Sequence, residues 1–172
     1  PLLRSLPGVD EWVPIDTETE VTFEYHTPLM SLAALLGIRR EADIPNKVPY
    51  VHVDSARCEK WREAVQRSDR FRIGICWQGS PTYRGDALRS MPLDEFLPIA
   101  QLAGVELIRL QNGHGTDQIA AAPFPLTTFE DMDDEGAFVD TAALMQSLDL
   151  VISADTAIAH LAGALGRPAW VV

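Results

Sequence analysis

Residues Leu150–Gly166 read LVISADTAIAHLAGALG, and this stretch decides the fold. Four apolar, partly β-branched residues, Leu150–Ser153, have the length and composition of a buried strand. Asp155-Thr156 then sit at a turn, and a run rich in alanine follows to Gly166 and Pro168, the usual closing residues of a helix. A strand that runs straight into a helix puts backbone N–H groups and the positive end of a helix at the carboxyl edge of a sheet. Such an edge suits phosphate. Thr156 adds a hydroxyl, Ala157 permits close approach, and His160 shares a helix face with Thr156 one turn on. The plainer alternative is that Asp155 caps the helix and His160 only packs.

Outward from this point the same rhythm repeats. Phe71–Trp77 (FRIGICW) is a predicted buried strand. Residues 92–103 carry Leu93, Phe96, Leu97 and Ala100 at helical spacing, with Gly104 as the stop. Val105–Leu110 is a second predicted strand, and Leu126–Phe129 a short third. Asp140-Thr141 opens a helix through Ser147, with Asp140 as the predicted N-cap. Ala169–Val172 begins a further strand. Strands alternating with helices imply βαβ units and a parallel sheet.

The N-terminal part is less regular. Short strands are expected at Glu11–Ile15 and Val21–Tyr25, and a helix over 28–36 that Gly37 ends. Extended chain is expected over 43–53, and a helix over 58–66. A polar joint at 67–70 marks the expected boundary, giving segments 1–68 and 69–172. The chain starts without Met and stops at Ala169-Trp170-Val171-Val172, which reads as a strand cut in mid-run. A fragment of a longer protein is expected.

Composition bounds the function. The chain has 172 residues, about one domain at roughly 150 residues each. It has 14 Lys and Arg against 25 Asp and Glu, a net charge of −11, which argues against nucleic acid and anionic membrane as partners. Hydrophobic residues make up 47%, enough for a packed core. No apolar run reaches the roughly 18 residues of a membrane span. Pro1–Arg4 lack the basic head and long apolar core expected of a signal peptide, and the 2 cysteines, Cys58 and Cys76, are too few for a disulfide scaffold or a cysteine zinc site. A reducing, cytoplasmic setting is expected.

Two further loops could carry chemistry. Gly79-Ser80 close the Phe71 strand, and Arg84 and Arg89 follow in an acidic chain, where two arginines can offset a diphosphate. A solvated loop is the alternative. After the Val105 strand come Gln111-Asn112-Gly113-His114-Gly115, placed to read a base or ribose, or else simply a glycine loop. The acidic residues Glu130, Asp131, Asp133, Asp134 and Glu135 read as a solvated loop without EF-hand order. No GxGxxG, P-loop, GxSxG or HExxH motif occurs. His26, at a predicted strand end, is a candidate at a cleft, although a lone histidine is more often structural.

These residues resemble a known family. Ile73–Pro81 (IGICWQGSP), Arg89–Leu93, Phe138–Leu144 and Leu148–Trp170 together resemble the catalytic region of bacterial tetratricopeptide-repeat proteins. That region is similar to glycosyltransferase family nine, the heptosyltransferases. The resemblance continues through Leu2–Val9, Tyr25–Leu32, Ile44-Pro45 and Pro49-Tyr50. It implies an α/β, GT-B-like architecture. In that architecture a parallel-sheet, Rossmann-like domain over 69–172, truncated at its end, follows the tail of a second Rossmann-like domain over 1–68. It implies a nucleotide-diphosphate-sugar donor as substrate, no cofactor and no metal. Thr156, Ala157 and His160 would hold the diphosphate, with Asp155 ordering the turn. Arg89 would offset leaving-group charge, Gly79 and Ser80 would admit the donor, and Gln111 would lie near ribose or base. The family's catalytic base belongs to a glycine-aspartate pair ahead of these residues, so a chain inactive alone is expected, with His26 the one candidate within it. The acceptor is open, a protein or a glycan, and self-association through the terminal strand is plausible. A non-catalytic nucleotide- or protein-binding module with a degenerate transferase fold is the alternative, and a phosphate-ester hydrolase using Asp155 a more distant one.

Overall fold

The computed structural model describes residues 2–13, 21–65 and 69–172. They form two compact units: Pro1–Leu6 with Val48–Val172, and Pro7–Lys47. The expected boundary at 68/69 lies inside the first unit. The elements in chain order are α1 (Leu32–Leu35), α2 (Ser55–Val65), β1 (Phe71–Cys76), α3 (Leu97–Ala100), β2 (Val105–Arg109), α4 (Val139–Met145), β3 (Leu150–Ser153), α5 (Ala157–Ala164) and β4 (Ala169–Val171).

The first unit is an α/β structure around a four-stranded sheet in the order β2-β1-β3-β4. Every pairing is parallel, with Phe71 opposite Val105, Cys76 opposite Ser153 and Ser153 opposite Val171. Side chains alternate across the pleat, so each strand feeds two cores. Ile73, Ile75, Leu107, Leu150 and Ile152 point to one face, where Leu93 and Phe96 of a 3-10 turn cover them and Ile99 and Ala100 of α3 pack alongside. Cys76, Ile108 and Val151 point to the other, against Trp61 and Val65 of α2, Ala142–Met145 of α4 and Ile158, Leu161 and Ala162 of α5. The result is three layers, with helical structure on both sheet faces.

Gly74 lies mid-strand where a Cβ would stand 2.5 Å from Leu148 Cδ1 and 2.6 Å from Leu110 Cδ1. Both leucines are fully buried, so neither can swing aside. Gly74→Ala is expected to lower stability by about 1–3 kcal/mol through overpacking, measured by urea denaturation.

Several expectations are corrected. Residues 126–129 are not a strand; Thr127 alone bridges to Ile108 along the β2 edge. Helical structure in 92–103 is a 3-10 turn, Leu93–Phe96, followed by one α turn. α2 starts at Ser55 rather than at residue 58. Asp140 does not cap α4; it lies inside the helix, and Phe138, left-handed at φ 64°, holds the N-cap position. The cap is supplied by Asp133, whose Oδ1 accepts from the Asp140 and Thr141 amides at 2.7 and 3.0 Å. The acidic loop is thus only partly solvated: Met132 is buried and Glu135 pairs with Arg57.

Unit Pro7–Lys47 contains 3-10 turns at Leu29–Ser31 and Glu41–Asp43 and the single turn α1, and none of its described residues is buried. Val21–Tyr25 is not a strand. Residues 11–13 are not one either, and the rest of that expected strand lies outside the described residues, as do 66–68 of the expected helix and joint. Among the described residues, no helix is long and apolar enough to cross a membrane.

Candidate functional site

The strand order sets the position of the site. From β1 the chain crosses to β2 on one side, then returns past β1 to β3 on the other. The first connection packs on one sheet face and α4 on the opposite one. Between β1 and β3 the direction of winding reverses, and in open α/β sheets ligands bind in the crevice outside the carboxyl ends of the strands at such a point. A cleft of about 480 Å³ lies there. Cys76, Gln78, Gly79 and Ser80 line it from the end of β1, Gln111 and Asn112 from β2, and Thr156, Ala157 and Ile158 from β3 and α5.

Thr156 is the N-cap of α5: its Oγ1 accepts from the Ile158 amide at 3.3 Å. The Ala159 amide returns to the Thr156 carbonyl at 3.1 Å. This leaves the Ala157 N–H, for which the helix itself offers no acceptor. Thr156 Oγ1 also lies 3.1 Å from Ser153 Oγ and 3.7 Å from Cys76 Sγ. Burial pushes the Cys76 thiol above its ordinary value, and hydrogen bonding with Thr156 and Ser153 offsets this only in part. Cys76 is therefore a packing thiol donating to Gln111 Oε1 at 3.2 Å.

Arg89 enters from the loop after β1. Its Nε donates to Asp86 Oδ1 at 3.1 Å, its Nη1 donates to the Asp155 carbonyl at 2.6 Å, and its guanidinium carbon stands 4.7 Å from the Tyr83 ring centroid. Gly79 has no room for a Cβ because the Asp86–Arg89 pair lies against it, Asp86 Oδ1 closest, then Arg89 Nη2 at 2.5 Å and Nε at 2.7 Å from that position. Gly79 thus admits Arg89 to the cleft wall. Arg84 is exposed and does not line the cleft.

Gln111 is buried and its amide is engaged within the protein. Oε1 accepts from the Trp77 and Gln78 amides at 3.0 and 2.9 Å, and Nε2 donates to the Gln78 and His114 carbonyls at 3.0 and 2.8 Å. It ties the ends of β1 and β2 together. Gly115, left-handed at φ 88°, turns the same loop so that its carbonyl accepts from Trp77 Nε1 at 3.2 Å. The exposed polar groups on this wall are Asn112 and His114.

The remaining sequence candidates lie elsewhere. The His160 side chain is 82% exposed and does not line the cleft; its Nε2 is 3.9 Å from Asp155 Oδ1. Asp155 contributes its carbonyl, while its carboxylate faces outward, 67% exposed. His26 is exposed in unit Pro7–Lys47, its ring centroid 5.4 Å from that of Phe23.

The structure adds Asp133, Phe138 and Thr141 to the cleft wall. Sequence reasoning passed over them because the cap they form links residues seven and eight positions apart, outside any local capping pattern. Asp133 Oδ2 also accepts from Thr141 Oγ1 at 2.5 Å, so both carboxylate oxygens serve the cap. Among the described residues, no three His, Cys, Asp or Glu side chains are arranged to hold a metal ion.

Comparison with known proteins adds three findings. The family model described as glycosyltransferase family 9 (heptosyltransferase) matches residues 137–170, from the end of the acidic loop to β4. The chain is similar to protein FlbA of Caulobacter vibrioides, 25% identical over 176 residues, covering 99% of this chain. It spans 28% of that relative's length. Its structure is similar to that of E. coli ADP-heptose lps heptosyltransferase II, with a TM-score of 0.53 and 17% identity over 77% of this chain and 42% of the other. That likeness is one of fold: a GT-B type α/β architecture around a parallel sheet.

Proposed function

We propose that this chain is the donor-binding part of a glycosyltransferase that takes a sugar from a nucleotide-diphosphate donor. The observation that carries the reading is the cleft at the reversal point of a parallel sheet, bounded by Arg89 and by the N-terminus of α5. Arg89 would meet the diphosphate as a planar fork, and the Thr156 hydroxyl and Ala157 amide would meet it from the helix end. Gly79 and Ser80 would border the donor. Gln111 would support the ribose or base wall that Asn112 and His114 present. Asp155 would act through its carbonyl, which orients Arg89, and His160 would join only in a longer assembly. The family match over 137–170 supports the sugar-nucleotide class.

Transfer by direct displacement needs a base to deprotonate the acceptor and positive groups for the leaving diphosphate. In this reading Arg89 and α5 supply the second, and no cofactor is called for. The cleft's lining carboxylate, Asp133, is taken up by the α4 cap, which supports the reading that a carboxylate base comes from elsewhere and that the chain does not turn over alone. The same observation also fits a non-catalytic nucleotide-binding module, and turnover by the longer protein separates the two. The acceptor, a protein or a glycan, the company of tetratricopeptide repeats, the division at 68/69 and a cytoplasmic setting belong to the same proposal.

Calorimetric titration with UDP, GDP and ADP tests it. Binding at micromolar to sub-millimolar affinity is expected, weakened roughly 10- to 100-fold by Arg89→Ala, as for loss of a charge-assisted hydrogen bond. A folded chain that binds none of the three, or an Arg89→Ala variant that binds as well as the parent, overturns it.

A further inference from the structure

We propose that Asp86 is a positioning residue that holds Arg89 in its ligand-facing pose, an inference that rests on the donor-site reading above. Arginine has five N–H donors on a plane, and its affinity for a diphosphate depends on which edge is free. Here three contacts fix that plane. Asp86 Oδ1 accepts from Nε at 3.1 Å, the Asp155 carbonyl accepts from Nη1 at 2.6 Å, and the Tyr83 ring covers one face at 4.7 Å. Nη2 has no acceptor among the described residues and lies beside Gly79, at the cleft wall.

Asp86 is itself held. Its Oδ2 accepts from Ser90 Oγ at 2.8 Å, Ser90 Oγ accepts from the Gly79 amide at 2.9 Å, and the Asp86 carbonyl accepts from the Arg89 and Ser90 amides at 3.1 and 2.8 Å. One carboxylate therefore connects the end of β1 to the arginine that reaches the start of α5. Both partners are largely withdrawn from water, the Asp86 side chain 15% exposed and the Arg89 side chain 24%. Gly85 completes the arrangement: a Cβ there would stand 2.8 Å from Tyr83 Cε1, so the glycine lets the Tyr83 ring lie close to the loop. An arginine on a solvated loop would need none of these supports.

The proposal makes a prediction opposite in sign to simple charge counting. Removing a carboxylate beside an anion site should tighten anion binding if Asp86 only neutralises Arg89. If Asp86 positions Arg89, its removal frees the guanidinium to rotate and binding weakens. The test titrates the chain, Asp86→Ala, Asp86→Asn, Tyr83→Leu and Arg89→Ala with pyrophosphate and with UDP, GDP and ADP. It also follows the Arg89 Nε–H resonance by nitrogen-15 NMR without ligand. Expected results are about tenfold weaker binding in Asp86→Ala, a smaller loss in Asp86→Asn, which keeps an acceptor oxygen, and a loss in Tyr83→Leu, which changes no charge. The Arg89 Nε–H is expected to be ordered and slow to exchange in the parent and averaged in Asp86→Ala, with the melting temperature little changed. Unchanged or tighter binding in Asp86→Ala, or an equally ordered Nε–H, overturns the proposal. If the parent and Arg89→Ala bind alike, the donor-site reading fails, and the Nε–H resonance alone then decides whether Asp86 positions Arg89. A well-folded Tyr83→Leu settles the question of binding should Asp86→Ala fail to fold.

Discussion

Asp140→Ala is expected to destabilise the protein by about 3–5 kcal/mol, the usual cost of removing one partner of a buried ion pair. Asp140 is almost fully buried inside α4, yet its oxygens are all engaged. Oδ1 accepts from Arg57 Nη1 and from Trp61 Nε1, both at 2.7 Å, and Oδ2 accepts from the Asp133 amide at 3.0 Å. Alanine would leave the buried indole N–H without a partner and release α2 from α4. Arg57 retains Glu135 and is itself partly exposed, so the loss is expected at the low end of that range. Chemical denaturation measures the change; a cost under about 1 kcal/mol, the scale of an exposed ion pair, would refute a structural role for the cluster.

The same carboxyl gives stability a pH dependence. Burial alone would raise its pKa, but the hydrogen bonds from Trp61 and Arg57 and from the Asp133 backbone win, and it is held below its ordinary value. Folded protein therefore binds this proton less readily than unfolded chain. The stabilisation is complete above the ordinary carboxyl value of about 4 and is lost as pH falls from there through the folded value. Asp140→Asn should remove this contribution, so the difference in stability between parent and variant narrows as the solution is acidified through that range. A constant difference would place the stabilisation elsewhere.

Gln111→Leu is expected to cost roughly 2–5 kcal/mol and to open the cleft wall. Leucine matches the bulk but strands the buried Trp77 amide, at about 1–3 kcal/mol, and leaves the part-buried Gln78 amide and the carbonyls of Gln78 and His114 to water at a smaller cost each. Gln111→Glu keeps the acceptor and loses the donor, so a carboxylate would face two carbonyls; it is expected to fare little better at neutral pH. Amide hydrogen exchange at Trp77 and Gln78 reports the outcome directly. Protection as strong as in the parent would mean that another group takes over the clamp.

These two residues also show where sequence reading stops. The strands were legible because short apolar, β-rich runs over Phe71–Cys76, Val105–Arg109 and Leu150–Ser153 are a local signal, and the turn at Asp155-Thr156 marked the start of α5. Cap assignments failed where the cap is remote: Asp140 looked like an N-cap, but Asp133 fills that role and the Asp140 carboxylate turns to α2. Gln111 looked like a ligand reader because its position at a strand end is visible in sequence, whereas its four internal partners are not. Thr156, Ala157, Gly79 and Arg89 do gather at one cleft, since each follows the carboxyl end of a central strand. His160 does not: Thr156 is the extended N-cap of α5, outside the helix proper, so the helical spacing of four does not stack His160 beside it. In Pro7–Lys47 the apolar residues predicted as a strand remain exposed, Phe23 at 64% and Tyr25 at 90%.

The reversal of winding between β1 and β3 also governs the order in which the molecule can assemble. β1 and β2 lie close in sequence and can pair early. The β1–β3 seam joins Arg72 to Asp149, 77 residues apart, and the α2–α4 clasp joins Trp61 to Asp140 across 79. Closing loops of that length sacrifices chain entropy before any contact forms, which places both events late and slows them. A nascent chain emerging from the ribosome would hold Trp61 and Val65 bare until the residues around 140 appeared. Over that interval the two apolar side chains of an otherwise charged α2 have no α4 to cover them.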